Sequence, residues 1–73
     1  MTENEVKILT EVETRGPDPW GWFSFMAWAN AREIPYKSTD PLVKAGFLDI
    51  KFMPTGWQGF IITDTGRLAL ELA

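Results

Sequence analysis

The apolar pattern of the last third of the chain changes period twice. In GFLDIKF, residues 46–52, Leu48, Ile50 and Phe52 alternate with Asp49 and Lys51, which is the period-two signature of a half-exposed strand. PTGWQG, residues 54–59, reads as a turn-rich loop, and Phe60, Ile61 and Ile62 return as a second strand. At Thr63 the period becomes helical. Thr63 is a good N-cap residue, and Leu68, Ala69 and Leu72 follow as the inner face of a last helix. A strand that runs into a helix with no linker admits neither an all-helical nor an all-β chain. Two strands alone are marginal in water, so the hairpin must pack on helices. The class is α+β.

Three helix starts precede the hairpin. Thr2 followed by Glu5 forms a capping box, and Val6, Ile8, Leu9 and Val12 give that first helix one apolar face. Gly16-Pro17 ends it. Asp18-Pro19 predicts a second start, an Asp cap with Pro at the first helical position, and Asp40-Pro41 repeats the device for a third helix. The second helix, residues 20–33, contains WGWFSFMAWANAR. It is apolar around most of its circumference, which implies burial against more than one element. Ile34-Pro35 closes it, because the residue before a proline is driven out of the α region. The third helix is short, residues 41–45, and Gly46 suits the left-handed position that ends a helix. The chain holds no repeat or linker and reads as a single domain over residues 1–73.

Composition narrows the chemistry. The 73 residues include no cysteine and no histidine, so disulfides, the usual zinc frameworks and the commonest nucleophile–base pairs cannot be built. Glu11 and Glu13 lie two apart on different sides of a helix, and Asp18 and Asp40 serve as caps. No enzyme is expected, and neither a cofactor nor a metal is implied. No apolar run approaches the ~20 residues that span a bilayer, and the acidic N-terminus lacks a signal-peptide pattern. The expectation is a cytoplasmic protein with no membrane partner. The net charge is −3, with five acidic and two basic side chains in residues 1–31 and five of each in residues 32–73. Nucleic-acid binders are usually basic, so this balance weighs against nucleic acid, although local charge is what meets phosphate.

PLVKAGFLDI, residues 41–50, and FIITDTGRLALE, residues 60–71, resemble the winged helix-turn-helix family. In its MarR-like and PadR-like regulators a helix ends in Gly, a strand follows, a wing loop turns, and a second strand enters a Thr-x-x-Gly-Arg helix. The resemblance covers residues 34–73 well and the first two helices by element order alone. It implies a small winged-helix-like domain: three helices, a two-stranded hairpin wing and a C-terminal helix. Gly66, without a Cβ, would let that last helix sit close to its neighbour.

The resemblance also implies a DNA-binding regulator, transcriptional or of a mobile element. Lys37, Ser38, Thr39 and Lys44 would carry the contacts of the third helix, and Lys51, Thr55 and Gln58 those of the wing. The third helix is shorter and less basic than a DNA-reading member requires, and the wing has no arginine. Double-stranded DNA would therefore be held weakly by one copy, so a homodimer or a larger partner is expected for specific binding. The rival reading is a protein-binding module on the same fold, an adaptor or a phage-type inhibitor. Each aromatic of the second helix brings roughly 150–250 Å² to be buried, more than so small an interior can hold. Trp20, Trp22, Trp28 and the loop residue Trp57 are the candidate anchors, for self-association or for another protein. The DNA reading requires Lys37, Lys44 and Lys51 on one face. The rival requires an exposed apolar patch with those lysines scattered. Arg67 is expected to pair with Asp64 or Glu71 on its own helix.

Overall fold

A computed structural model describes all residues, 1–73. The elements run α1 (Glu3–Thr14), β1 (Trp20–Gly21), α2 (Trp22–Ala31), a 3₁₀ turn (Tyr36–Thr39), α3 (Asp40–Lys44), β2 (Leu48–Phe52), β3 (Gln58–Ile62) and α4 (Asp64–Leu72). The result is an α+β domain of four α-helices and a three-stranded antiparallel sheet, ordered β1-β3-β2.

The caps at either end of the chain form as expected. The Thr2 N–H donates to Glu5 Oε1 at 2.7 Å, and the Glu5 N–H donates to Thr2 Oγ1 at 3.2 Å. At α4 the Gly66 N–H donates to Thr63 Oγ1 at 2.9 Å, while the Thr63 hydroxyl donates to the Gly46 carbonyl at 2.6 Å. Thr63 thus ties α4 to the α3–β2 turn as well as capping it.

The two Asp-Pro starts do not act as N-caps. Residues 20 and 21, expected inside the second helix, instead pair with β3, Trp20 opposite Phe60 and Gly21 opposite Gly59. α2 begins only at Trp22, with Gly21 at its cap position and no side-chain cap. The physical reason lies in β3. A Cβ on Gly59 would stand 2.8 Å from Pro19 Cβ, so the bare glycine backbone lets residues 19–21 settle onto the sheet and carries Trp20 into the core. At α3, Asp40 lies within the first turn and Thr39 holds the cap position, again without a side-chain bond. The preceding 3₁₀ turn already delivers the chain in a helical direction, so a capping carboxylate is not needed.

α2 also ends earlier than Pro35 requires. The Ile34 N–H reaches the Ala29 carbonyl at 2.9 Å and the Glu33 N–H reaches the Asn30 carbonyl at 3.2 Å, the two bonds of a Schellman ending. α3 ends in the same way, with Phe47 N–H to Leu42 O and Gly46 N–H to Val43 O. The difference is the residue at the left-handed position. Gly46 takes φ +80 there, as expected, whereas in α2 it is Glu33, at φ 57. An L-residue in that region costs about 1–2 kcal/mol. Glu33→Gly is therefore expected to stabilise the fold by roughly 1 kcal/mol, read as a higher urea midpoint at unchanged slope.

The core joins Ile8, Leu9 and Val12 of α1 to Phe25 and Ala29 of α2, Leu42 of α3, and Trp20, Leu48, Phe60 and Ile62 of the sheet. Phe25 is fully buried, with the rings of Trp20, Trp22 and Phe60 centred 5.5, 5.4 and 5.5 Å away. α4 is rotated from its expected setting. Gly66 is buried and Ala69 and Leu70 are half-buried, while Leu68 and Leu72 face outward. Gly66 rests against the Phe47 carbonyl with no room for a Cβ, and that seat turns the face carrying Leu70 inward.

Candidate docking surface at the hairpin tip

The hairpin pairs Leu48 with Ile62, Ile50 with Phe60 and Phe52 with Gln58. Directly opposite residues share a face, so these six side chains lie on the core side of the sheet, and Asp49, Lys51, Gly59 and Ile61 lie on the outer side. The hairpin outruns the helices beneath it. Leu48, Phe60 and Ile62 are buried, but Ile50 is 40 % and Phe52 74 % exposed. The alternation that reads as an inward face in the sequence is therefore only half covered.

The tip turn is closed by the Met53 N–H to the Trp57 carbonyl at 2.7 Å and the Gly56 N–H to the Met53 carbonyl at 2.8 Å. It holds Trp57, 55 % exposed, edge-on to Phe23 of α2, which is 58 % exposed, with ring centroids 4.7 Å apart. Phe52, Trp57 and half-buried Trp22 line one depression of about 340 Å³. Trp22 and Ile50 also line a neighbouring groove between α3 and the hairpin. Trp22 thus joins Phe23, Trp57, Phe52 and Ile50 into one apolar surface.

Of the candidate anchors, Trp57 and Trp22 reach this surface and the other two do not. Trp20 is 3 % exposed and sits in the core beneath the Arg15 guanidinium, whose centre is 4.4 Å from its ring. Trp28 is half-buried beneath Arg32 at 4.7 Å and lies edge-on to Trp20. Pairing on β3 fixed Trp20, and Trp28, beneath Arg32, faces a separate depression lined by Val6 and Thr10 of α1. Phe23 and Phe52 complete the surface and had no separate signal in the sequence. Both look like core residues until the depth of the helical layer is known.

The candidate nucleic-acid contacts are dispersed. Lys44 and Gln58 line the α3–hairpin groove, together with Asp40. Lys51 is on the other side of the sheet, 3.3 Å from Asp49. Thr39 borders the α3–hairpin groove but is 3 % exposed, and its hydroxyl donates to the Tyr36 carbonyl. Lys37 is exposed and Ser38 half-buried in the 3₁₀ turn, outside the groove, and Thr55 is exposed at the tip. Most other cations are partnered: Lys7 with Glu3, Arg15 with Glu11, and Arg67 with Asp64 at 3.1 Å, one of its two expected partners. No three carboxylates gather into a metal-sized cluster, and no helix is long and apolar enough to cross a membrane. Compared with known proteins, the chain matches no family model, and no curated protein or solved structure matches it significantly.

Proposed function

We propose that this chain is a winged-helix-like protein-interaction module that docks a partner protein through its hairpin tip. The architectural part is supported by α3 ending at Gly46, β2 and β3 turning as a wing, and β3 entering α4 directly at Thr63. The functional part is carried by the exposed Phe23–Trp57 pair, continuous with Phe52. Large aromatics held rigidly at a surface are what binding hot spots use, since little side-chain entropy remains to be lost. The complementary partner presents an apolar groove able to take an aromatic edge.

The reading is tested by capture from an extract of the source cells on immobilised protein. One species is expected to be retained by the native chain, lost with Trp57→Ala and with Phe23→Ala, and kept with Lys44→Ala. Because Trp57 is more than half exposed, Trp57→Ala is expected to cost about 1 kcal/mol or less of stability, so binding is lost from a folded protein. Retention by both aromatic variants removes the tip from the function.

DNA binding is the second reading, favoured by one observation: Lys44 and Gln58, one from α3 and one from the hairpin, share a groove. Against it stand the five-residue length of α3 and Asp40 in the same groove. Fluorescence anisotropy of a labelled random-sequence duplex separates the two. The docking reading expects no binding at low salt up to high micromolar protein. Binding that weakens as salt rises would overturn it in favour of phosphate contacts.

A further inference from the structure

We propose that β2 is a self-pairing edge, through which two copies of this chain join their sheets antiparallel about Ile50. The inference stands on the strand edge and not on the Phe23–Trp57 pair, so it goes beyond the docking reading and does not depend on it.

β3 is the middle strand, and β2 has no neighbour on its far side. The Met53 N–H to Trp57 carbonyl bond and the Thr63 N–H to Phe47 carbonyl bond bracket the hairpin. Bonded pairs alternate along an antiparallel ladder. Asp49 and Lys51 consequently turn their backbone groups toward β3, and Leu48, Ile50 and Phe52 turn theirs toward the open edge. The Ile50 N–H is met at 2.9 Å by the exposed carboxylate of its own neighbour, Asp49. Such an edge is a template for another strand.

The sequence of β2, LDIKF, selects the occupant because it is its own complement. With Ile50 set opposite Ile50 of a second copy, Asp49 falls opposite Lys51 and Lys51 opposite Asp49. Leu48 falls opposite Phe52, and Phe52 opposite Leu48. The Ile50 pair is then a hydrogen-bonded one, which makes the Asp49–Lys51 pairs the closer-spaced, non-hydrogen-bonded kind. Two unlike-charge pairs occupy the outer side of the joined sheet, and three apolar pairs occupy the other. Shifting the centre to Asp49 or to Lys51 sets like charges opposite each other, so the charges specify a single register. Phe52, 74 % exposed in the single chain, gains a neighbour. On joining, the Asp49 carboxylate leaves the Ile50 N–H and its own Lys51, 3.3 Å away, for the second copy's Lys51.

One strand pair buries less than the roughly 1,200 Å² of a stable interface, so the dimer is weak, with a dissociation constant on the order of 0.1 mM. Sedimentation equilibrium from about 10 μM to 1 mM tests it. The native chain is expected to dimerise over that range. Asp49→Lys sets Lys opposite Lys at both outer pairs, and Lys51→Asp sets Asp opposite Asp. Each is expected to weaken dimerisation about tenfold or more. The double variant, Asp49→Lys with Lys51→Asp, restores unlike pairs and is expected to regain the native constant. Both side chains are half exposed on the outer side of the sheet, so far-UV circular dichroism is expected to stay native throughout. Trp57→Ala is expected to dimerise like the native chain. A native chain that stays monomeric to 1 mM overturns the proposal. So does a dimer unmoved by either single reversal, a double variant that remains dissociated, or a dimer lost with Trp57→Ala instead.

Discussion

Gly66→Ala is expected to unfold this domain or nearly so. A Cβ at that position drives into the carbonyl oxygen of Phe47 and stands 2.9 Å from Ile62 Cγ1. Neither obstacle is a free side-chain end. The Phe47 carbonyl is held from the other side, accepting the Thr63 N–H at 3.1 Å. Relief requires α4 to lift, which stretches the Thr63 cap and exposes Leu70. Overpacking of this kind costs about 3 kcal/mol when the backbone cannot yield. A core of this size supplies only a few kcal/mol of net stability. The thermal midpoint, followed by circular dichroism, is expected to fall by roughly 10–25 °C. A shift of only a few degrees would mean that α4 is not seated on the α3–β2 turn.

Phe25→Ala is expected to have an effect at least as large, from the opposite cause. Phe25 is fully enclosed, and the rings of Trp20, Trp22, Trp28, Tyr36 and Phe60 all lie around it. Its removal leaves a cavity that rigid rings on several elements cannot close, and Phe→Ala at such sites costs about 3–5 kcal/mol. The variant is expected to lose its near-UV circular dichroism at 25 °C, because the tryptophans no longer sit in fixed surroundings. Phe25→Leu keeps an apolar body and is expected to remain folded with a lowered midpoint. A native near-UV spectrum in Phe25→Ala would remove the aromatic cluster from the centre of the fold.

The features legible in the chain were those whose chemistry is local. Thr2 with Glu5, and Thr63 with Gly66, are side-chain caps reaching three residues, and nothing distant competes with them. The same kind of signal misled at Asp18-Pro19. There a long-range pairing, Trp20 with Phe60 across forty residues of chain, outweighed the local preference for a helix start. The candidate surface divides in the same way. Trp57 stood out because a tryptophan in a glycine-flanked turn has few ways to be buried. Phe23 and Phe52 did not, because each belongs to a pattern that ordinarily faces a core.

The sequence by itself determined neither β1 nor the 3₁₀ turn. It did determine the order of the four α-helices and of the two hairpin strands, most of their ends, the α+β class and the absence of cysteine and histidine chemistry. Each of these follows from residue type or from spacing within one or two turns of chain. Only the tertiary structure decided which aromatics are core and which are surface. A helix apolar on nearly every side carries no record of which side will be covered. That choice was made by β1 docking on Gly59, which carried Trp20 inward. It was made also by a hairpin longer than the helices beneath it is deep, which left Phe52 and Trp57 in solvent beside Phe23.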